Sequence, residues 1–249
     1  MEVHAHTHTA RKKWTHYFWE FLMLFLAVFC GFLAENQREH MIEHQREKIY
    51  IESLLGDLKE DTADLVSDIP FWERYIQRID TLRSEIRKPA SLRNEPLMYR
   101  CVIRMRLYEN FTYNDRTIEQ LKNGGNFRLI RKKAVADSLI KYDATIRSIL
   151  RDQEMQSNTI WQSLNFLQDK LFKLEFFEYR RSSTALDSAI AANLDIIKPR
   201  AGKEDELFEY YNRLQYFQVI NSFRLGSNRI ILRKSKNLIE MIKKEYHIQ

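Results

Sequence analysis

One arrangement in this chain has the residue types and spacing of a catalytic metal site. His40, Glu43 and His44 read His-x-x-Glu-His. On a helix that spacing turns two imidazoles toward one ion and a carboxylate toward the water it would activate, the chemistry of a metal-dependent hydrolase. Its neighbours Gln37, Arg38, Gln45 and Arg46 are those of a solvated helix face, and a third ligand would have to come from a distant carboxylate. No Gly-x-Ser-x-Gly elbow or phosphate loop accompanies it. The stretch therefore reads as solvated helix, and the sequence predicts no catalytic residue, no metal and no cofactor. His4, His6 and His8 alternate in a polar N-terminal tail, where weak metal binding is the less economical reading than a solvated terminus.

Two cysteines, Cys30 and Cys101, exclude a disulfide scaffold and a multi-thiolate metal module. Cys101 has no histidine close to it in sequence and reads as a small core residue rather than a nucleophile. Basic groups recur at Arg128, Arg131, Lys132 and Lys133, and at Arg229, Arg233, Lys234, Lys236, Lys243 and Lys244, within a net charge of +6. Such groups can meet the phosphates of nucleic acid, anionic lipid or an acidic partner, but they also suit the outer faces of amphipathic helices.

The elements that must carry these residues are helical. In 249 residues there are only six glycines and four prolines, too few for a turn-rich β sandwich or barrel, and 44% hydrophobic with 30% charged residues suits long amphipathic helices. The first is more than amphipathic. Trp14 to Ala34 is a run of 21 residues that as a helix spans about 31 Å, a bilayer core, and Phe21 to Ala34 carries no charge. Trp14, Tyr17 and Trp19 gather at one end, as in an interfacial aromatic belt. A signal-peptidase site needs small residues at its two outer positions, and Phe32 with Ala34, or Phe29 with Gly31, supplies an aromatic instead, so the segment reads as an uncleaved anchor. Arg11, Lys12 and Lys13 directly before it place the N-terminus on the cytoplasmic side. The bulk of the chain is then periplasmic, and nucleic acid is not an expected partner. Glu20, Ala27, Gly31 and Ala34 share one helical face with His16, and the small residues there would admit a second helix. Glu20 either joins that seam or snorkels to the headgroups.

Beyond the anchor, Ile51, Leu55, Leu58, Leu65 and Ile69 follow four-and-three spacing with Thr62 in the remaining slot, a coiled-coil or bundle stripe. The anchor is expected to run straight into it, with Pro70 kinking or restarting the helix before 71–87. A short helix follows from Pro96 to about Leu107. Another is capped by Asn114 or Asp115, supported by Thr117 with Gln120, and stopped by Gly124 and Gly125. A long stretch is expected from Phe127 to about Phe177, exposed or kinked at its polar middle from Arg151 to Asn158, then a short helix from Ser182 to Ile197 and a final helix from Glu204 to Tyr246. The fold class is all-α: an N-terminal transmembrane helix continuing into a coiled-coil-like rod and an elongated antiparallel bundle, with a tail at 1–13, an anchor at 14–34 and a bundle domain at 35–249.

Two blocks, WEFLMLFLAVFCGFLAENQREH from Trp19 and RTIEQLKNGGNFRLIRKKAVADSLIKYD from Arg116, resemble an uncharacterised group of single-pass membrane proteins of the Bacteroidota. In the second block Thr117, Leu121, Gly125, Leu129 and Ile130 fit the group's pattern, and Gly124 stands where the group usually has Ser. The resemblance implies a bacterial inner-membrane protein with a helical extramembrane part. It carries over no catalytic residue. Together these readings point to a non-enzymatic interaction module that meets inner-membrane lipid and a protein partner or a second copy of itself. A periplasmic ligand sensor signalling through the anchor is the alternative, weakened by the roughly 13 residues before the anchor, and the His40 hydrolase is a remote one.

Overall fold

A computed structural model describes residues 14–106 and 111–248, of which 157–159 are described as backbone only. Every regular element among them is helical, and the fold is all-α. In chain order these are α1 (Trp14–Ile86), α2 (Glu95–Met105), α3 (Arg116–Asn123), α4 (Lys133–Leu171), α5 (Ser183–Ala192) and α6 (Glu204–Tyr246). Short 3-10 turns lie at Ala90–Leu92, Asn126–Leu129 and Glu175–Arg181.

The chain divides into two units at Ile51 and Glu52. The first, described from Trp14, is a length of α1 alone. Its aromatic and aliphatic side chains, among them Phe21, Leu24, Phe25, Val28 and Phe32, are exposed, and its most apolar window has no buried residue. A soluble helix places such residues in a core. Among the described residues one helix is long and apolar enough to cross a membrane.

The second unit, Glu52–Gln249, contains the core. Trp72, Tyr75, Ile79 and Leu82 project from one stripe of α1 at three-and-four spacing, and they meet Met98, Val102 and Ile103 of α2, Leu164, Leu167 and Leu171 of α4 and Leu207, Tyr210 and Leu214 of α6. Each such side chain contributes about 1.5–3 kcal/mol when fully withdrawn from water. Three of the buried tyrosine hydroxyls are hydrogen-bonded: Tyr75 donates to the Met105 carbonyl (2.5 Å), Tyr99 to the Lys173 carbonyl (2.7 Å), and Gln168 donates to the Tyr210 hydroxyl (2.7 Å). Helices α4 and α6 run antiparallel, with Tyr142 beside Ser235, Gln153 beside Asn228 and Gln168 beside Tyr210.

Several boundaries differ from expectation, each for a local reason. Helix α1 does not restart at Pro70, because buried Leu65, Trp72 and Tyr75 hold the same face on both sides of it. The stretch expected from 127 to 177 is trimmed at both ends. Leu129 and Ile130 are buried in a turn that opens into extended backbone at Ile130 and Lys132, whose carbonyl then starts α4. At the other end Phe172 leaves the helix extended to bury its ring beside Tyr210. The polar middle of α4 continues as helix, with Arg151, Asp152, Glu154, Met155 and Gln156 exposed. Ser182 caps α5 as expected, its hydroxyl accepting from the Ala185 N–H (3.2 Å). That helix stops at Ala192 instead of Ile197 because Asn193 turns out of helical geometry and donates its side-chain amide to the Ala189 carbonyl (2.8 Å). Leu107, the expected end of α2, lies outside the described residues, and α2 itself ends at Met105.

Candidate functional site

The face proposed from the sequence lies open on α1. Glu20, Ala27, Gly31 and Ala34 are all exposed, His16 Nε2 is 4.0 Å from the Glu20 carboxylate, and a Cβ added at Gly31 would meet nothing within 4 Å. Cys30 is exposed beside them, whereas Cys101 is buried.

His40 and His44 lie further along α1, both exposed, with Glu43 half-buried. His44 Nδ1 approaches the Glu47 carboxylate at 3.5 Å. Among the described residues no three His, Cys, Asp or Glu side chains are grouped so as to hold a metal ion, so the third ligand that the His-x-x-Glu-His spacing requires is not supplied there. His4, His6 and His8, and the basic Arg11, Lys12 and Lys13, fall outside the described residues. Of the basic groups, Arg128, Arg131, Lys132 and Lys133 are exposed around the start of α4, and Arg229 on α6 is engaged by Glu73 of α1 (2.6 Å).

The most heavily built polar site was not legible as such. Between Leu54 and Leu65, α1 buries two aspartates a helical turn apart, Asp57 and Asp61. The Asp57 carboxylate accepts the backbone N–H of Thr117 (3.0 Å), the Thr117 hydroxyl and the Arg116 guanidinium (2.6 Å). A carboxylate from another helix thus caps the first turn of α3, where the sequence pointed to Asn114 or Asp115. Asp115 occupies the N-cap position but makes no side-chain cap bond. Thr62, read as a core residue, is only half-buried, with its hydroxyl returned to the Leu58 carbonyl (2.7 Å).

Asp61 accepts the Asn114 N–H (2.9 Å) and lies 3.3 Å from the Tyr142 hydroxyl, which is itself 2.6 Å from the Ser235 hydroxyl; Ser235 in turn donates to the Ile231 carbonyl (3.0 Å). Proton placement along this row is constrained. With the Ser235 proton on Ile231, the single Tyr142 proton serves either Ser235 or Asp61. An ionised Asp61 accepts from Tyr142 while Ser235 turns its proton to Tyr142, and a protonated Asp61 instead donates to Tyr142 while Tyr142 donates to Ser235. Burial pushes the Asp61 carboxyl up to about 7, against the bonds from Asn114 and Tyr142 that favour its charged form. Burial likewise raises the Tyr113 and Tyr142 hydroxyls.

A third carboxylate, Asp143 of α4, completes the assembly. It is buried, accepts from the Tyr113 hydroxyl (3.2 Å) and Arg147 Nε (3.0 Å), and pairs with Lys122 of α3. Arg147 also reaches Asp115 (2.7 Å) and Glu119 (2.6 Å). The result is a latch: the 113–123 segment is fastened to α1 by Asp57 and Asp61 and to α4 by Asp143 and Arg147. Tyr113, Asp115 and Arg147 also line one wall of a cleft of about 590 Å³. The available signal in the sequence was two aspartates interrupting an apolar stripe, together with the Arg116, Thr117 pair they receive.

The second of the two sequence blocks falls on the same segment. Thr117 is buried on Asp57, Leu121, Leu129 and Ile130 are in the core, and Gly125 has φ +61°, the left-handed region that favours glycine. Among the described residues the geometry is all-α, with one candidate membrane-crossing helix and a latched helical bundle. No protein-family model, curated protein or solved structure matches the chain.

Proposed function

We propose that this protein is a membrane-anchored helical interaction module of the bacterial envelope, belonging to the single-pass Bacteroidota group that its two sequence blocks resemble. The observation that carries the reading is the dual character of α1. Its first part is an apolar helix of bilayer length with no buried residue in its most apolar window, and its later turns supply Trp72, Tyr75, Ile79 and Leu82 to the bundle core. In this reading the N-terminus is cytoplasmic, the bundle is periplasmic, and the mechanism is positional, holding a helical surface at the inner membrane for a protein partner or a second copy. The module performs no catalysis in this reading. The small-residue face with Glu20 is the association seam between anchors.

Cys30, exposed on the flank of that seam, provides the test, because buried Cys101 does not compete. Oxidative cross-linking of the full chain in native membranes is expected to give one defined Cys30-linked species, reduced strongly by Gly31→Leu and Ala27→Leu, and a C-terminal tag should be reached by outside reagents in spheroplasts. A monomer that copurifies with no stoichiometric partner, or a tag shielded from those reagents, overturns the proposal.

A further inference from the structure

Between α1 and α2, outside both the latch and the anchor, the chain gathers four arginines. Arg74 and Arg78 are one turn apart on α1, Arg100 and Arg104 one turn apart on α2, and together they line a pocket of about 270 Å³ with Thr81 and the buried Cys101. Among the described residues no acidic side chain lines it. Arg100 is paired with Asp187 at 2.8 Å. Arg104 donates to the Ser183 hydroxyl (2.6 Å), while its buried Nε has no hydrogen-bond acceptor among the described residues. Among the described residues none of Arg74, Arg78 and Arg104 has a carboxylate within ion-pair distance, although Glu73 and Asp80 flank the α1 pair in sequence.

Holding these groups together is costly. Burial and the like charges of Arg104 and Arg74 lower the pKa of Arg78, yet a guanidinium does not give up its proton in a protein. A surface that served solubility alone would spread such charges apart or interleave them with acids. Guanidinium forks converging on one pocket match the paired oxygens of a tetrahedral oxyanion, and three without an acid are better balanced by a dianion than by a single carboxylate.

We propose that this pocket binds a phosphoryl group, presented by a phosphomonoester or free phosphate, through Arg74, Arg78 and Arg104. The site binds and does not attack: burial pushes the Cys101 thiol up to about 11 despite the three arginines facing it, so the thiol stays protonated at neutral pH. The ligand bridges α1 to α2, fixing their packing where the core residues Ile79, Leu82, Val102 and Ile103 meet. This inference goes beyond the anchored-module reading and stands or falls separately from it, since every residue it uses lies in the second unit.

The test is calorimetric titration of the full chain in dodecyl maltoside at low salt with inorganic phosphate, glycerol phosphate and water-soluble dioctanoyl phosphatidic acid. Saturable binding is expected, weakened about tenfold or more by Arg78→Gln and by Arg74→Gln, and unchanged by Arg213→Gln on α6. Arg74 is exposed, so its variant keeps the test decisive should Arg78→Gln lose its helical circular dichroism. Binding of phosphate or glycerol phosphate assigns a soluble ligand. Binding of phosphatidic acid alone, lost in the same variants, assigns the phosphoryl group to a lipid headgroup. Absence of binding to all three, or binding indifferent to both substitutions, overturns the proposal.

Discussion

The Asp57 carboxylate of α1 accepts both the backbone N–H and the hydroxyl of Thr117, sixty residues further along the chain. It caps α3 from another helix, so local helix formation and tertiary docking become one event. A short helix of eight residues is marginal alone. Its register is set by the side chain that receives it.

That arrangement predicts strong coupling. Asp57→Ala removes a buried acceptor of three bonds and leaves the Thr117 N–H without its partner, a loss of about 2–4 kcal/mol. Thr117→Val keeps the N–H bond and the volume while removing the hydroxyl, at a cost of about 1 kcal/mol. In a double-mutant cycle read by thermal unfolding in detergent, the two should be non-additive by more than about 0.5 kcal/mol. Additive effects would mean that the contact does not fasten α3.

Asp61 gives the bundle a pH dependence of unusual sign for an aspartate. Its folded pKa, about 7, lies above the ordinary value of about 3.9 that it regains on unfolding. Between those values the folded chain holds the proton that the unfolded chain has released. This group's contribution to stability is therefore fully present below about pH 4, declines as pH rises toward 7, and is flat above. The change over that window is of the order of a few kcal/mol. Asp61→Asn keeps an acceptor for the Asn114 N–H and lets Tyr142 donate to Ser235, so it should match or exceed the parent in stability at pH 8. The difference between the two melting curves should shrink as pH falls from 7 toward 5. A constant difference across that range would show that Asp61 is charged in the folded chain.

Much of the architecture was legible because hydrophobic period and punctuation act locally. The stripe from Ile51 to Leu65, Pro96 near the start of α2, the double glycine after α3 and the break before Glu204 all recur in the structure. Pro70 shows where local rules yield. Its missing N–H argues for a kink or a restart, but the buried stripe resumes in phase at Trp72, and packing on both sides holds the helix together at the cost of one backbone bond. The latch was illegible for a related reason. Asp57 and Asp61 look like solvated acids until the loop at 113–117 covers them, and no periodicity along α1 announces a partner more than fifty residues away. The arginine pocket was missed likewise, because two unremarkable pairs on separate helices acquire meaning only when α1 and α2 face each other.

The two glycines that end α3 make opposite demands, and substitution should separate them. Gly125 has φ +61° and leads into the turn that buries Leu129 and Ile130. Any Cβ there meets its own following carbonyl rather than a neighbour, since the space around it is open. Gly125→Ser should therefore cost about 1–2 kcal/mol, which for a domain of this size lowers Tm by about 2–8 °C. Gly124 has φ −85°, a conformation open to every residue. A Cβ on it would meet the side-chain amide of Asn126, which can rotate away, and the Gln120 carbonyl oxygen at 3.1 Å. Gly124→Ser, which installs the residue usual in the group proposed for this chain, should shift stability by no more than about 0.5 kcal/mol, because restricting the unfolded chain offsets the rearrangement of Asn126. Circular-dichroism melting of both variants beside the parent decides it. Equal losses at the two positions would mean that space around the turn, rather than the left-handed backbone at Gly125, governs this part of the fold.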